Sequence, residues 1–323
     1  MLVTDEMYYA PIALFVYNRP VHMRQTVEAL LANAEAAQTM LYVFSDAPRN
    51  VAASPAVSEV RSYIQSIAGF KSVAIIERET NFGLARSIID GVTRLCEEHG
   101  RVIVMEDDLV TSPKFLSYMN DALTRYENED RVMQVSGHIF QVPEFAQREE
   151  ALFLPFVTSW GWGTWKRAWK HFDPSAKGWE KINSNSELRN HFNLDGHFDY
   201  STLMEQQMSG KVDSWAIRWY LSVFLSDGVA LYPPQTLVKN IGLDSGTHGS
   251  RILRWTLAGQ AVSVKPIFFP RMVQVIEQDY ILVQKAIFRQ MGGRFGALFR
   301  YVRRRLAFFS TRVRKNNRGG DTI

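Results

Sequence analysis

Four runs of nearly unbroken apolar residues punctuate the first third of the chain: IALFVYN from Ile12, MLYVFSD from Met40, KSVAIIE from Lys71 and RVIVMED from Arg101. Short continuous runs of this kind fit strands buried on both faces, because a strand with one wet face alternates apolar and polar residues instead. Between the runs lie stretches long enough for a helix. VHMRQTVEALLANAEAA carries Met23, Val27, Leu30 and Leu31 at helical spacing, and GLARSIIDGVTRLCEEHG ends in a glycine of the kind that stops helices. This alternation predicts parallel strands joined by helical crossovers, an α/β fold. A further strand is expected at VMQVSGH, residues 132 to 138. A helix is expected in SPKFLSYMNDALTRYENED, with Ser112 as N-cap and Pro113 in the first turn.

Each of the four runs ends in a polar cluster. Asn18-Arg19-Pro20 follows the first, Ser45-Asp46 the second, Glu79-Thr80-Asn81-Phe82-Gly83 the third and Glu106-Asp107-Asp108 the fourth. Open parallel sheets bind ligands at the carboxyl ends of their strands, so all four clusters fall where a site is expected. No GxGxxG follows the first run and no GxxxxGK[ST] occurs anywhere, so the usual dinucleotide fingerprint and the P-loop are both excluded. Three adjacent carboxylates repel one another unless something offsets their charge. A hard divalent cation with oxygen ligands, Mg2+ or Mn2+, suits them.

Past residue 150 the pattern changes. SWGWGTWKRAWKHFDPSAKGW, residues 159 to 179, holds five of the eight tryptophans. Trp160 and Trp162 sit among glycines, where an indole face can meet a sugar, whereas Trp165 and Trp169 have the spacing of a packed helical pair. A polar helical stretch near residues 187 to 209, the segment VDSWAIRWYLSVFLSDGVALYPP and the loop NIGLDSGTHGS follow, with no internal repeat and no low-complexity linker.

Length and composition, 323 residues of which 46% are hydrophobic, allow a large core and exclude a disordered chain. The single cysteine, Cys96, excludes a disulfide framework and a cysteine zinc site, and fits a reducing cytoplasm. MLVTDEMYYA has none of the features of a signal peptide, and no apolar run approaches the length of a membrane span. The net charge of +4 conceals an asymmetry: from residue 280 onward there are eleven Lys or Arg against one acid, Asp321, leaving 26 basic and 32 acidic residues before it. In that tail Phe295, Leu298, Phe299, Val302, Leu306, Phe309 and Val313 recur at spacings of mostly three or four among arginines. A basic amphipathic helix suited to an anionic membrane surface is expected there, with packing on the acidic body as the alternative and no nucleic acid as partner.

ALFVYNRP, VFSDAP, NFGLARSIIDG, VIVMEDDLVTSPKFL, DSWAIRW and GTHGS together resemble the GT-A-fold nucleotide-sugar glycosyltransferases. The closest likeness is to bacterial family-2-like sugar transferases and to the N-acetylglucosaminyltransferase that initiates complex N-glycans. The resemblance implies a Rossmann-like α/β fold with a mixed, mostly parallel sheet flanked by helices. It implies a nucleotide-sugar-binding half at 9–150, an acceptor-binding and catalytic half at 151–270, and a helical basic tail at 271–323. It further implies that Asp108 is a ligand of Mn2+ or Mg2+ with His248 close to the metal. Glu106 takes the place of the first acid of the family's Asp-x-Asp motif, with Asp107 beside it at the donor. Asp46 would accept from the nucleobase, and Asn18 and Arg19 would lie beside the base or diphosphate. Asn81, Gly83 and Arg86 would form the loop that approaches the nucleotide, Asp213 would be the catalytic base, and Trp160 and Trp162 would touch the acceptor.

Residue type alone leaves alternatives: Arg19 paired with a neighbouring acid, Asp46 capping a turn, Arg86 solvated at a helix start and Asp213 as a helix N-cap. The expected function is metal-dependent, inverting transfer of a sugar from a nucleotide diphosphate donor, UDP-linked, to a saccharide or lipid-linked glycan. The expected location is the cytoplasm or the inner face of its membrane. A sugar nucleotidyltransferase and a non-catalytic, membrane-attached glycan-binding protein are the competing readings.

Overall fold

Each of the first four apolar runs forms a strand: β1 (Ile12–Val16), β2 (Met40–Ser45), β3 (Ser72–Glu77) and β4 (Arg101–Glu106). The computed structural model describes residues 8–242 and 261–290. The crossovers are α1 (Pro20–Leu31), α2 (Ser54–Ile64) and α3 (Leu84–His99). They are followed by β5 (Leu109–Thr111), α4 (Phe115–Arg125), β6 (Val132–Ser136), β7 (Leu152–Leu154) and β8 (Trp162–Trp165). Shorter helices come next, α5 (Lys166–Trp169), α6 (Trp179–Asn183), α7 (Ser186–Phe192) and α8 (Tyr200–Met208). The described chain closes with α9 (Trp215–Leu225), β9 (Val229–Tyr232), β10 (Val238–Asn240) and α10 (Glu277–Gln290).

One mixed, mostly parallel sheet in the order β3-β2-β1-β4-β8-β6-β9-β7, flanked by helices, takes strands from both halves of the chain. β2 and β4 lie parallel to either side of β1, β3 parallel to β2, and β9 parallel to β6, while β8 runs antiparallel between β4 and β6. This is the α/β architecture expected from the strand-helix alternation. Every residue of β1, and of β4 up to Met105, is buried, as strands covered on both faces require. β3 departs from that reading: as the edge strand it has one neighbour and is only partly covered.

Two other local expectations are corrected. Ser112 caps the turn that leads into α4 and not the helix itself: its Oγ accepts from the Lys114 N–H at 3.2 Å, its carbonyl accepts from the Phe115 N–H at 3.0 Å, and the helix begins at Phe115. The polar stretch of residues 187 to 209 is two helices, because Leu194, Asp195 and Gly196 all take positive φ and break it. Of the basic tail, α10 packs on the body through buried Val283, Ala286 and Ile287 and an ion pair from Asp279 to Arg148 at 2.7 Å. Residues 291–323, where the apolar and arginine positions alternate, lie outside the described residues. Among the described residues no helix is long and apolar enough to cross a membrane.

Candidate functional site

The strand order creates a gap in the connections between β1 and β4. The chain leaves β1 for β2 and β3, and returns to β4 on the other side of β1, so the crossovers diverge from that pair of strands. Such a switch point opens a crevice at the carboxyl ends, where ligands of open α/β sheets sit. Register sets Phe15 beside Glu106, so the residues that follow each strand meet. Arg19 Nη1 donates to Asp108 Oδ2 at 2.8 Å, and the Tyr17 N–H donates to Asp107 Oδ2 at 3.1 Å. Arg19 therefore does pair with a neighbouring acid. The pair is still reachable, with the Arg19 and Asp108 side chains 29% and 14% exposed.

One guanidinium facing three carboxylates leaves the cluster rich in negative charge. Burial, then the charges of Asp108 and Asp107, push the Glu106 carboxyl up to about 8 against the pull of Arg19. Burial and Asp108 push Asp107 up to about 7, opposed by the Tyr17 N–H, Arg19 and His22. Asp108 is raised as well, burial outweighing Arg19. A second layer covers the cluster: β10 pairs antiparallel with β5, and the Ile241 N–H bonds the Asp108 carbonyl at 2.8 Å. The chain then passes so close that a Cβ on Gly242 would collide with the Asp108 carboxylate and the Arg19 guanidinium. A side chain there would have to push the ends of that ion pair aside.

Asp46 ends β2 and is 6% exposed, and its carboxylate is already occupied by the chain. Oδ1 accepts from the N–H groups of Ala47 at 2.9 Å and Phe82 at 2.8 Å, while Oδ2 accepts from Asn81 Nδ2 at 3.0 Å and the Gly83 N–H at 2.9 Å. A carboxylate offers about four acceptor sites, and all four are filled. The expectation that Asp46 accepts from a nucleobase is thus corrected: this side chain fastens the loop after β3, the turn-capping alternative. Gly83 precedes α3 at φ +72°, a conformation that suits glycine. Arg86 is exposed in the first turn of α3, its guanidinium 3.7 Å from the centre of the Phe82 ring. Asn18 is partly exposed beside Arg19.

The tryptophans separate. Trp162 is fully buried, stacked on Trp215 with ring centres 5.1 Å apart, so it cannot touch an acceptor; β8 points it into the core. Trp165 and Trp169 are core residues, as expected. Trp160 stays partly exposed and packs on His138 at 4.4 Å between ring centres. Both line a cavity of about 240 Å³ together with Phe198, Leu203, Trp215 and Trp219. β8 runs antiparallel to β4, and their pairing ends with Val104 opposite Trp162, so Trp160 enters β8 at the end of the sheet where β4 reaches Glu106. Acid cluster and cavity therefore share one end of the sheet. Ser214, not Asp213, caps α9. The Asp213 side chain is 69% exposed and accepts from Arg218 Nη2 at 2.7 Å, two residues before cavity-lining Trp215.

Solved structures are similar to part of this chain at low identity. The mannosyltransferase of Pyrobaculum calidifontis in complex with GDP-Man and Mn2+ is similar at 11% identity and a TM-score of 0.35, over 48% of this chain and 44% of that one. TarS of S. aureus is similar at 14% identity and a TM-score of 0.34, over 51% and 30%. Mouse xyloside xylosyltransferase 1, apo form, is similar at 10% identity and a TM-score of 0.34, over 68% and 82%. The chain thus spans less than half the length of the first two. No family model matches the chain, and no curated protein matches it.

Among the described residues no three His, Cys, Asp or Glu side chains converge on one point, so the chain builds no closed metal cage there. His248 lies outside the described residues. What remains fits a hard cation of the Mg2+ type, which is held by one or two carboxylates and completes its shell with phosphate oxygens and water. Asp108 is the reachable carboxylate of a cluster whose acids are driven towards their neutral forms chiefly by burial. His138 and Gly242 are missed by the sequence reading. A histidine two residues past a strand end has no distinguishing spacing, and the close approach at Gly242 is to side chains far away in the chain.

Proposed function

We propose that this chain is a glycosyltransferase that moves a sugar from a nucleotide diphosphate donor, UDP-linked, to a saccharide or lipid-linked glycan. The observation that carries the reading is the meeting of Arg19 with the acid cluster at the β1/β4 switch point. A diphosphate needs positive groups there, and Arg19 supplies a fork of donors that fits phosphate oxygens bidentately. With donor bound, Arg19 would exchange Asp108 for the diphosphate, and Asp108 would be free to hold Mn2+ or Mg2+, His248 being the second ligand this reading assigns. Such a cation acts as a Lewis acid on the departing diphosphate. Glu106 and Asp107 face the ribose and donor sugar. Asn18, Asn81, Gly83 and Arg86 line the nucleotide, the loop being held by Asp46.

Asp213 takes the proton from the acceptor hydroxyl as that oxygen attacks the anomeric carbon and the bond to the diphosphate oxygen breaks. Arg218 orients this carboxylate. A single displacement inverts the anomeric centre. In this reading residues 9–150 bind the donor, 151–270 bind the acceptor, and the tail from 291 holds the enzyme at the inner face of the cytoplasmic membrane. The test is a panel of nucleotide sugars incubated with and without Mn2+. Release of a nucleoside diphosphate that needs the metal supports the reading. Release of pyrophosphate marks a nucleotidyltransferase, and absence of any turnover or nucleotide affinity marks a glycan-binding protein.

A further inference from the structure

The cavity beside Trp160 is walled mostly by carbon. Trp219 Nε1 donates to Gln134 Oε1 at 2.8 Å, Tyr220 Oη to the Phe192 carbonyl at 3.0 Å and Thr158 Oγ1 to the His138 carbonyl at 3.2 Å, so these polar tips are engaged by the protein. Both His138 ring nitrogens are closed off from solvent and have no hydrogen-bond partner among the described residues. A sugar ring pressed in here would strip water from its hydroxyls with little in return, at about 1–3 kcal/mol for each unsatisfied group. A hydrocarbon gains about 25 cal/mol per Å² removed from water. At about 240 Å³ the space exceeds the roughly 150 Å³ apolar cavity that suffices for benzene.

The end of α10 lies at the rim. Gln290 Nε2 donates to the Gln141 carbonyl at 2.8 Å, next to cavity-lining Phe140, and Phe288 packs edge-on against His197, next to cavity-lining Phe198. From Gln290 the sequence continues for residues 291–323 with nine Lys or Arg and one acid. Charge of that sign, starting at the mouth of an apolar cavity, complements an anionic lipid surface. β8 runs antiparallel to β4, so Trp160, just before β8, and Glu106, at the end of β4, lie at the same end of the sheet.

We infer that the cavity takes the hydrocarbon chain of a lipid-linked acceptor, isoprenoid or acyl, and so aims its polar end at the acid cluster. The word acceptor rests on the glycosyltransferase reading; the preference for hydrocarbon does not. The experiment follows tryptophan fluorescence of the full chain titrated with farnesol, dodecanol and methyl β-D-glucopyranoside, without any donor. It is repeated on Ala216→Phe and Leu203→Phe, two independent ways of filling the space. A saturable response to at least one alcohol is expected, weakened about tenfold or more by each filled cavity, with none to the glucoside. The stronger of the two alcohols identifies a branched or a straight chain. No saturable response to either alcohol overturns the inference, as does an affinity unchanged in the folded variants, or glucoside binding that the variants abolish. Nucleotide-sugar turnover is measured on the same samples. Turnover lost with alcohol binding intact removes the transferase reading alone, and the converse removes the cavity inference alone.

Discussion

Replacing Asp46 with Asn distinguishes a loop-fastening role from a nucleobase contact. In the folded protein the carboxylate accepts four hydrogen bonds, three from backbone N–H groups and one from Asn81. The amide keeps one oxygen, enough for Ala47 and Phe82. It turns an NH2 group towards Asn81 Nδ2 and the Gly83 N–H, setting donor against donor. Two hydrogen bonds to a charged acceptor are lost. Each contributes about 1.5–3 kcal/mol, and because Asn81 and Gly83 are partly exposed, water recovers some of it, leaving a destabilisation of about 2–4 kcal/mol. Urea denaturation monitored by circular dichroism measures this, with an unchanged m-value marking a true loss of stability. Nucleotide-sugar affinity should fall in the same variant, since the Asn81–Gly83 loop is released. A variant as stable as the wild type within about 0.5 kcal/mol, but weaker in nucleotide binding, would refute the loop-fastening argument and restore the base contact.

Burial holds the His138 imidazole neutral by lowering its pKa to about 3, whereas the unfolded chain protonates near 6.5. The unfolded state therefore binds more protons between those values. Stability is intact above pH 6.5 and falls as the pH drops towards 3, by up to about 1.4 kcal/mol per unit. His138→Phe should flatten that dependence, measured as melting temperature against pH; an equally steep slope would remove the assignment. Cys96 is 1% exposed, and its thiol is pushed up to about 12, chiefly by burial. It should resist 5,5′-dithiobis(2-nitrobenzoate) at pH 8 until denaturant is added, and prompt labelling of the native protein would contradict its placement. Gly242→Ala should disturb the Arg19–Asp108 pair and weaken donor binding with modest loss of stability, because the added methyl meets the pair directly. Unchanged nucleotide affinity in a folded Gly242→Ala protein would count against that pair as the donor site.

The parts of the fold legible in the sequence were those whose signal is local. Apolar runs such as RVIVMED are buried strands because continuous apolar residues have no other stable place, and Gly100 at φ +77° ends α3 as its position suggested. The edge position of β3 was not legible, since its sequence is as apolar as that of a central strand and only pairing order decides coverage. Within the site, Arg19 and the acid cluster were found by their places after strands. Which partner each takes depends on strand order, and so on residues almost ninety positions apart. Asp46 was singled out by its place after β2, but its acceptors are filled by a loop whose approach no local pattern encodes. Trp160 and Trp162 are alike in sequence and differ in burial because β8 begins only at Trp162, and Gly161, at φ +60°, turns the chain between the two indoles.

The central claim, that a nucleotide diphosphate binds where Arg19 meets Asp108, is tested most directly by calorimetric titration of a UDP-sugar into the wild type, Arg19→Ala and Asp108→Asn, each with and without Mn2+. Binding to the wild type should require Mn2+. Arg19→Ala should weaken it about tenfold or more, as loss of a charged hydrogen-bonding group predicts. Asp108→Asn should lose the gain in affinity that Mn2+ brings to the wild type. Equal affinity in all three proteins, or binding indifferent to the metal in the wild type, would contradict the account.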